Sequence, residues 1–207
     1  MRSTRLAIGV LASVLVSVAA CGSSESASNT AATTTTSSAA MSDGVTRTGD
    51  VFGAGCASLP KESGNEGSLD GMVDDPVATA AGNNPLLTKL VTAVKAAGLV
   101  DTLNKTDAKY TVFAPYDPAF EALGQDALNA VLSDKPKLTT ILTYHVVPQR
   151  MDRDDILATA TLPTAQGGTL KVAGSGDNVT VNGSKVLCGN IPTANATVFV
   201  IDKVLMP

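Results

Sequence analysis

Apolar residues along this chain fall into three spacings, and each spacing predicts a different kind of structure. From Leu6 to Val18 they are nearly continuous, and from residue 22 to about 50 they almost vanish. Beyond that they recur first at helical and then at alternating intervals. Asp75-Pro76 reads as a cap followed by proline at the first helical position, opening a short helix through Ala81, and Asn84-Pro85 repeats the signal. Leu87, Leu90, Val91 and Val94 then share one helical face, and Gly98 is a stop. Asp117-Pro118 opens another short helix closed by Gly124. Asp126 starts the next, with Leu128, Val131 and Leu132 apolar, and Leu138, Ile141 and Leu142 mark a last one after Pro136.

The second half changes period. Thr169–Val172, Asn178–Val181 and Lys185–Cys188 are short and rich in strand-forming residues, and Asn182-Gly183 between two of them is a type I′ hairpin signal. Thr197–Leu205 reads as a long final strand, and Tyr110–Phe113 as an isolated early one. Helices followed by antiparallel strands predict an α+β domain. With no internal repeat visible, residues 56–207 are expected to form that one domain, of a size that buries about 70% of its unfolded surface.

The first apolar run is too short to cross a bilayer, which needs about 20 residues. Arg2 and Arg5 precede it, and Val18-Ala19-Ala20 sits directly before Cys21. That order resembles the lipobox of bacterial lipoproteins. Residues 1–20 are accordingly expected to be a removed signal peptide, and Cys21 the lipid acceptor holding the protein at the outer face of the membrane, with some shed to the medium. An ordinary signal peptide cut elsewhere is the alternative. Residues 21–55 are expected to be a flexible tether, since a Ser/Thr/Ala stretch has too little to bury to offset the entropy of ordering. Its Thr33, Thr34, Thr35 and Thr36 suit O-glycosylation as well as they suit a bare linker.

The chain holds 15 basic and 19 acidic residues. Loss of Arg2 and Arg5 leaves thirteen basic against nineteen, a formal charge of −6 with no Lys/Arg cluster, which argues against nucleic-acid binding. Two further cysteines, Cys56 and Cys188, suggest a disulfide in an exported chain, with two free thiols as the alternative. One histidine and no Cys/His pair at ligand spacing give no metal site and imply no cofactor. His145 invites a catalytic reading, yet no Gly-x-Ser-x-Gly elbow is present. Asp154-Asp155 is more simply a solvated loop than a carboxylate pair. A buried, hydrogen-bonded histidine is the expected state, and no enzyme activity is expected.

Three motifs then converge. Thr111-Val112-Phe113-Ala114-Pro115-Tyr116-Asp117-Pro118-Ala119-Phe120 resembles the first signature of the fasciclin (FAS1) domain, Tyr144-His145-Val146-Val147 its central motif, and Asn195 to Pro207 its closing signature. With the lipobox and tether, the chain resembles fasciclin-type surface lipoprotein antigens of mycobacteria and other actinobacteria. The resemblance implies helices packed on a small, mostly antiparallel sheet or wedge. It also makes Phe113, Pro115, Phe120, Tyr144 and His145 structural. It further implies an adhesion or host-contact role with a protein or glycan partner at the cell surface. Asn190-Ile191 matches an Asp-Ile pair linked to integrin binding in animal relatives. Asn lacks the carboxylate that would reach a metal ion, so this is an interaction loop by analogy only. Phe199 and Ala196 also depart from the usual His and Gly. The competing reading is an envelope carrier of a small apolar molecule or lipid, which requires an apolar cavity above about 300 Å³.

Overall fold

The computed structural model describes residues 44–60 and 65–207. The expected signal peptide of residues 1–20, Cys21 and Thr33–Thr36 lie outside the described residues.

The helices come first, and two of the first three are capped by distant side chains. The first, α1 (Leu69–Met72), opens on Ser68, whose hydroxyl accepts from the Gly71 amide at 3.2 Å. The next, α2 (Val77–Asn83), starts one residue later than Asp75-Pro76 predicts, because Pro76 itself takes the cap position and has no side-chain acceptor to offer. The Val77 amide donates instead to Asn195 Oδ1 at 2.9 Å, and the Ala78 amide to Asn104 Oδ1 at 3.1 Å. Likewise α3 (Thr88–Ala97) is capped by Asp117, which accepts from the Lys89 amide at 2.9 Å and from the Thr88 hydroxyl. Gly98 then ends it at φ 73°, a left-handed conformation that favours glycine. A short α4 (Val100–Leu103) follows.

Strand β1 (Tyr110–Pro115) leads into α5 (Asp117–Glu121), α6 (Gln125–Ser133) and α7 (Lys135–Tyr144), which runs into the two-residue β2 (Val146–Val147). A helix then appears where the sequence suggested a loop: α8 (Arg153–Ala158) carries Asp154 and Asp155 in its first turn. Asp152 accepts from the Asp155 amide at 2.9 Å and Asp155 accepts from the Asp152 amide at 3.3 Å, a reciprocal cap. The remaining strands are β3 (Thr161–Pro163), β4 (Thr169–Ser175), β5 (Asn178–Val181), β6 (Ser184–Pro192) and β7 (Ala196–Ile201).

These strands form one seven-stranded sheet in the order β2-β1-β7-β6-β5-β4-β3. Every pairing is antiparallel except β1 with β7, which run parallel from Tyr110↔Ala196 to Pro115↔Ile201. Parallel strands are stable where both faces are covered. Here β7 is buried throughout and β1 from Thr111 onward. The sheet curls until its two ends approach: the Ala165 amide, just beyond β3, donates to the Val146 carbonyl of β2 at 2.7 Å. Asn182 and Gly183 both have positive φ, 48° and 76°, as a type I′ hairpin between β5 and β6 requires.

Alternation on β1 and β7 divides the interior. Val112, Ala114, Val198 and Val200 face the helices, where they meet Leu90, Val94, Phe120 and Leu142. Phe113, Phe199 and Ile201 face the inside of the curl with Ile156, Leu162 and Leu170. The last strand ends at Ile201, short of the expected Leu205. The Asp202 carboxylate turns back to accept from the Lys185 amide at 2.7 Å and the Ser184 hydroxyl at 2.9 Å, and this breaks the ladder.

The folded part also begins before residue 56. Gly44 O accepts from the Thr197 hydroxyl at 2.8 Å, and Phe52 exchanges two backbone hydrogen bonds with Gly189. The Phe52 ring is buried edge-on against Phe199, centroids 6.2 Å apart. A Cβ at Gly189 would stand 2.4 Å from that ring, so only glycine lets it in. The tether expected up to residue 55 therefore gives way to packed chain by residue 44.

Candidate functional site

The Tyr144-His145 pair lies at the end of α7, where helix, sheet and final segment meet. Burial explains its chemistry. His145 is 2% exposed, and desolvation pushes its pKa down to about 4. The ring is neutral near pH 7. Its Nδ1–H donates to the Ile141 carbonyl at 2.8 Å, and Nε2 accepts from the Leu205 amide at 2.9 Å. Both nitrogens are thus committed to backbone, and neither is left to take a proton from a substrate. The Tyr144 hydroxyl donates to the Thr169 carbonyl at 2.9 Å and accepts from Asn182 Nδ2 at 2.9 Å, tying α7 to the β5–β6 hairpin. Phe113 is fully buried beside Phe199 with centroids 5.5 Å apart, Pro115 closes β1, and Phe120 packs under the helices.

Cys56 and Cys188 are joined as a disulfide, Cα atoms 4.8 Å apart, linking the segment before α1 to β6. Asn190 and Ile191 do not form an exposed loop. Both lie inside β6, with Ile191 1% exposed in the core and Asn190 7% exposed at φ 58°. The bulged register between Cys188 and Ile191 turns Asn190 so that its Oδ1 accepts from the Arg153 amide at 2.8 Å, at the start of α8. Asn190-Ile191 is thereby corrected from a contact loop to a buried joint between strand and helix.

Two sizeable concave surfaces are formed by the described residues. One is an open polar groove of about 950 Å³ between the 45–55 segment, the start of α8 and the β5–β6 hairpin strands. On its wall Arg153 pairs with Asp154 at 3.1 Å and Asp177 at 3.0 Å and lies 5.3 Å over the Phe52 ring, while Asp50 and Lys185 add further charge. The other is an apolar cleft of about 380 Å³ between α2, α3, α4 and β1, with Leu142, Thr143, His145 and Val146, where α7 runs into β2, also lining it. Small side chains explain why the second one stays open: α2 reads Val77-Ala78-Thr79-Ala80-Ala81-Gly82-Asn83, and Ala78, Ala81 and Gly82 are too short to fill the space toward Val91 and Tyr110. Sequence reasoning missed both this cleft and the capping asparagines Asn104 and Asn195. The run of Ala and Gly inside an otherwise apolar helix face was the signal for the cleft. Among the described residues no cluster of three His, Cys, Asp or Glu could hold a metal ion.

Comparison with known proteins agrees with this geometry. The fasciclin domain family model matches residues 85–207. The chain is 42% identical over 180 residues to the cell surface glycolipoprotein MPB83 of Mycobacterium bovis, covering 82% of this chain and 76% of that one. It is also 42% identical over 165 residues to the immunogenic protein MPB70 of the same species, covering 77% and 83%. Among solved structures, the FAS1 domain pair of the insect cell adhesion molecule Fasciclin I superposes with a TM-score of 0.57 at 18% identity, over 66% of this chain and 52% of that one. The motifs, the curled sheet and these matches together make the chain a member of the fasciclin domain family.

Proposed function

We propose that the protein is a non-catalytic contact module held at the cell surface by a lipid on Cys21. The observation that carries the non-catalytic part is the bonding of His145: although it lines the apolar cleft, the one imidazole of the chain is 2% exposed, neutral and bonded to backbone at both nitrogens. The names of relatives at 42% identity, a cell surface glycolipoprotein and an immunogenic protein, support the surface part. The partner is a protein or glycan of the wall or host, met by the polar groove, whose charged rim of Asp50, Arg153, Asp177 and Lys185 suits a polar surface better than an apolar one.

The test pairs localisation with capture. Cys21→Ser should leave the protein uncleaved or released to the medium. The purified protein should retain a partner from envelope or host-surface fractions, and Asp177→Asn with Lys185→Glu should weaken capture while lowering stability by no more than about 1 kcal/mol, since both side chains are exposed and the Arg153–Asp177 pair is a surface one. Processed Cys21→Ser protein that stays in the membrane would refute the anchor. A substrate turned over by the wild type but not by an equally stable His145→Ala would refute the non-catalytic reading.

A further inference from the structure

The apolar cleft is unlike the rest of the molecule in charge as well as polarity. The whole chain is formally −4, yet of the residues around the cleft only Lys95, exposed in the last turn of α3, carries charge. No ion pair engages Lys95 among the described residues. Neutral donors and acceptors of Thr79, Thr102 and Asn104 complete the rim, and Val91, Leu99, Val100 and Tyr110 form half-buried apolar walls. Two of these rim groups already bond each other, Asn104 Nδ2 donating to the Thr79 hydroxyl at 3.2 Å, so the α2–α4 side is a fixed wall.

Size narrows the ligand further. A methylene fills about the volume of one liquid water, ~30 Å³. The 380 Å³ cleft therefore holds about a dozen carbons, enough for one alkyl chain and too little for the paired chains of a diacyl lipid. From volume, apolar walls and a single cation at the rim, we infer that the cleft binds one single-chain anionic amphiphile, its tail between α2, α3 and β1 and its head at Lys95. The shared chemistry of a free fatty carboxylate and a lysophospholipid phosphate fits equally, and this site is separate from the polar groove.

The experiment titrates the purified protein calorimetrically with dodecanoate, 1-dodecanoyl-lysophosphatidylglycerol and dodecyltrimethylammonium, each below its micelle-forming concentration. The expected result is one saturable site for at least one of the two anions and clearly weaker binding of the cation, with the tighter anion naming the head group. Lys95→Glu should weaken the anions about five- to tenfold and leave the cation unchanged or tighter, as reversal of one solvated charge allows. Val91→Trp, which grows into the cleft from a half-buried position, should weaken every probe at least tenfold. A photoreactive dodecanoate cross-linked to the wild type should label residues of α2, α3, α4 or β1, or the adjoining end of α7 and β2, and this reading does not depend on whether the Trp variant folds. Absence of saturable binding by both anions, equal binding of the cation, or labelling outside those elements would overturn the proposal.

Discussion

Replacing His145 by Gln should change how stability depends on pH more than how large it is. In the folded protein the ring is held near pKa 4, while an unfolded histidine titrates near 6.5. Between those values the unfolded chain binds more protons than the folded one, so stability is full above about pH 6.5 and falls as pH drops toward 4. The interval of about 2.5 units at 1.36 kcal/mol each amounts to ~3 kcal/mol lost by the wild type through this residue alone. Gln cannot titrate. Near pH 7.5 His145→Gln should be less stable by about 1–3 kcal/mol, because the hydrogen bond to the Ile141 carbonyl is disturbed in a buried place. By about pH 4.5 the wild type should have lost most of its advantage, the gap narrowing by about 2–3 kcal/mol. Surface carboxylates titrate in both proteins and cancel in the difference. Urea unfolding of both at several values between those limits gives the gap directly. A gap that stays constant across that range would mean that His145 is not buried neutral, and the structural reading of the Tyr144-His145 motif would fall with it.

Other perturbations test the joints of the fold. The Cys56–Cys188 link spans 132 residues, so reduction should cost about 5 kcal/mol by chain entropy; an unchanged urea midpoint under reductant, or two titratable thiols in the denatured protein, would contradict it. Asn195→Ala removes an acceptor for the Val77 amide and two donors to the Leu103 and Lys105 carbonyls from a side chain 2% exposed. It should cost about 2–4 kcal/mol by urea unfolding, and a loss below about 1 kcal/mol would show that these bonds are replaced by water.

What the sequence made legible follows from how local each signal is. The strand Tyr110–Pro115 announces itself by a run of apolar residues closed by proline, and the Asn182-Gly183 hairpin by two residues that tolerate positive φ; neither needs the rest of the chain. The parallel partner of β1 could not be read, because Thr197–Ile201 looks the same whether it pairs parallel or antiparallel. Caps from a distance were equally hidden: Asp117 reads as the start of its own helix, while its carboxylate serves α3. Helix α8 was legible but overlooked, since Asp152 and Asp155 carry a capping pattern that two adjacent acids disguised as a loop. The position of Phe52 was lost because a single aromatic in a glycine-rich stretch has no period to betray a core contact.

The place of β7 in the sheet order has a consequence for the timing of assembly. Residues 196–201 lie between β1 and β6, so they supply the inner seam of the sheet and contribute to both interior clusters. A chain made from its N-terminus forward has its helices and six of its strands before that seam exists. Until residue 201 is delivered, β1 lacks its longest neighbour and the Phe113 ring lacks Phe199. Local helices can form and dissolve in that interval, but neither interior cluster can close, and native pairing of the first signature must wait for the closing one. Such long-range closure slows folding and favours a late, all-or-none gain of protease resistance over a gradual one. The same arrangement keeps a nascent chain extensible until its final strand arrives, the condition a protein needs if it is to be threaded through a membrane before it folds.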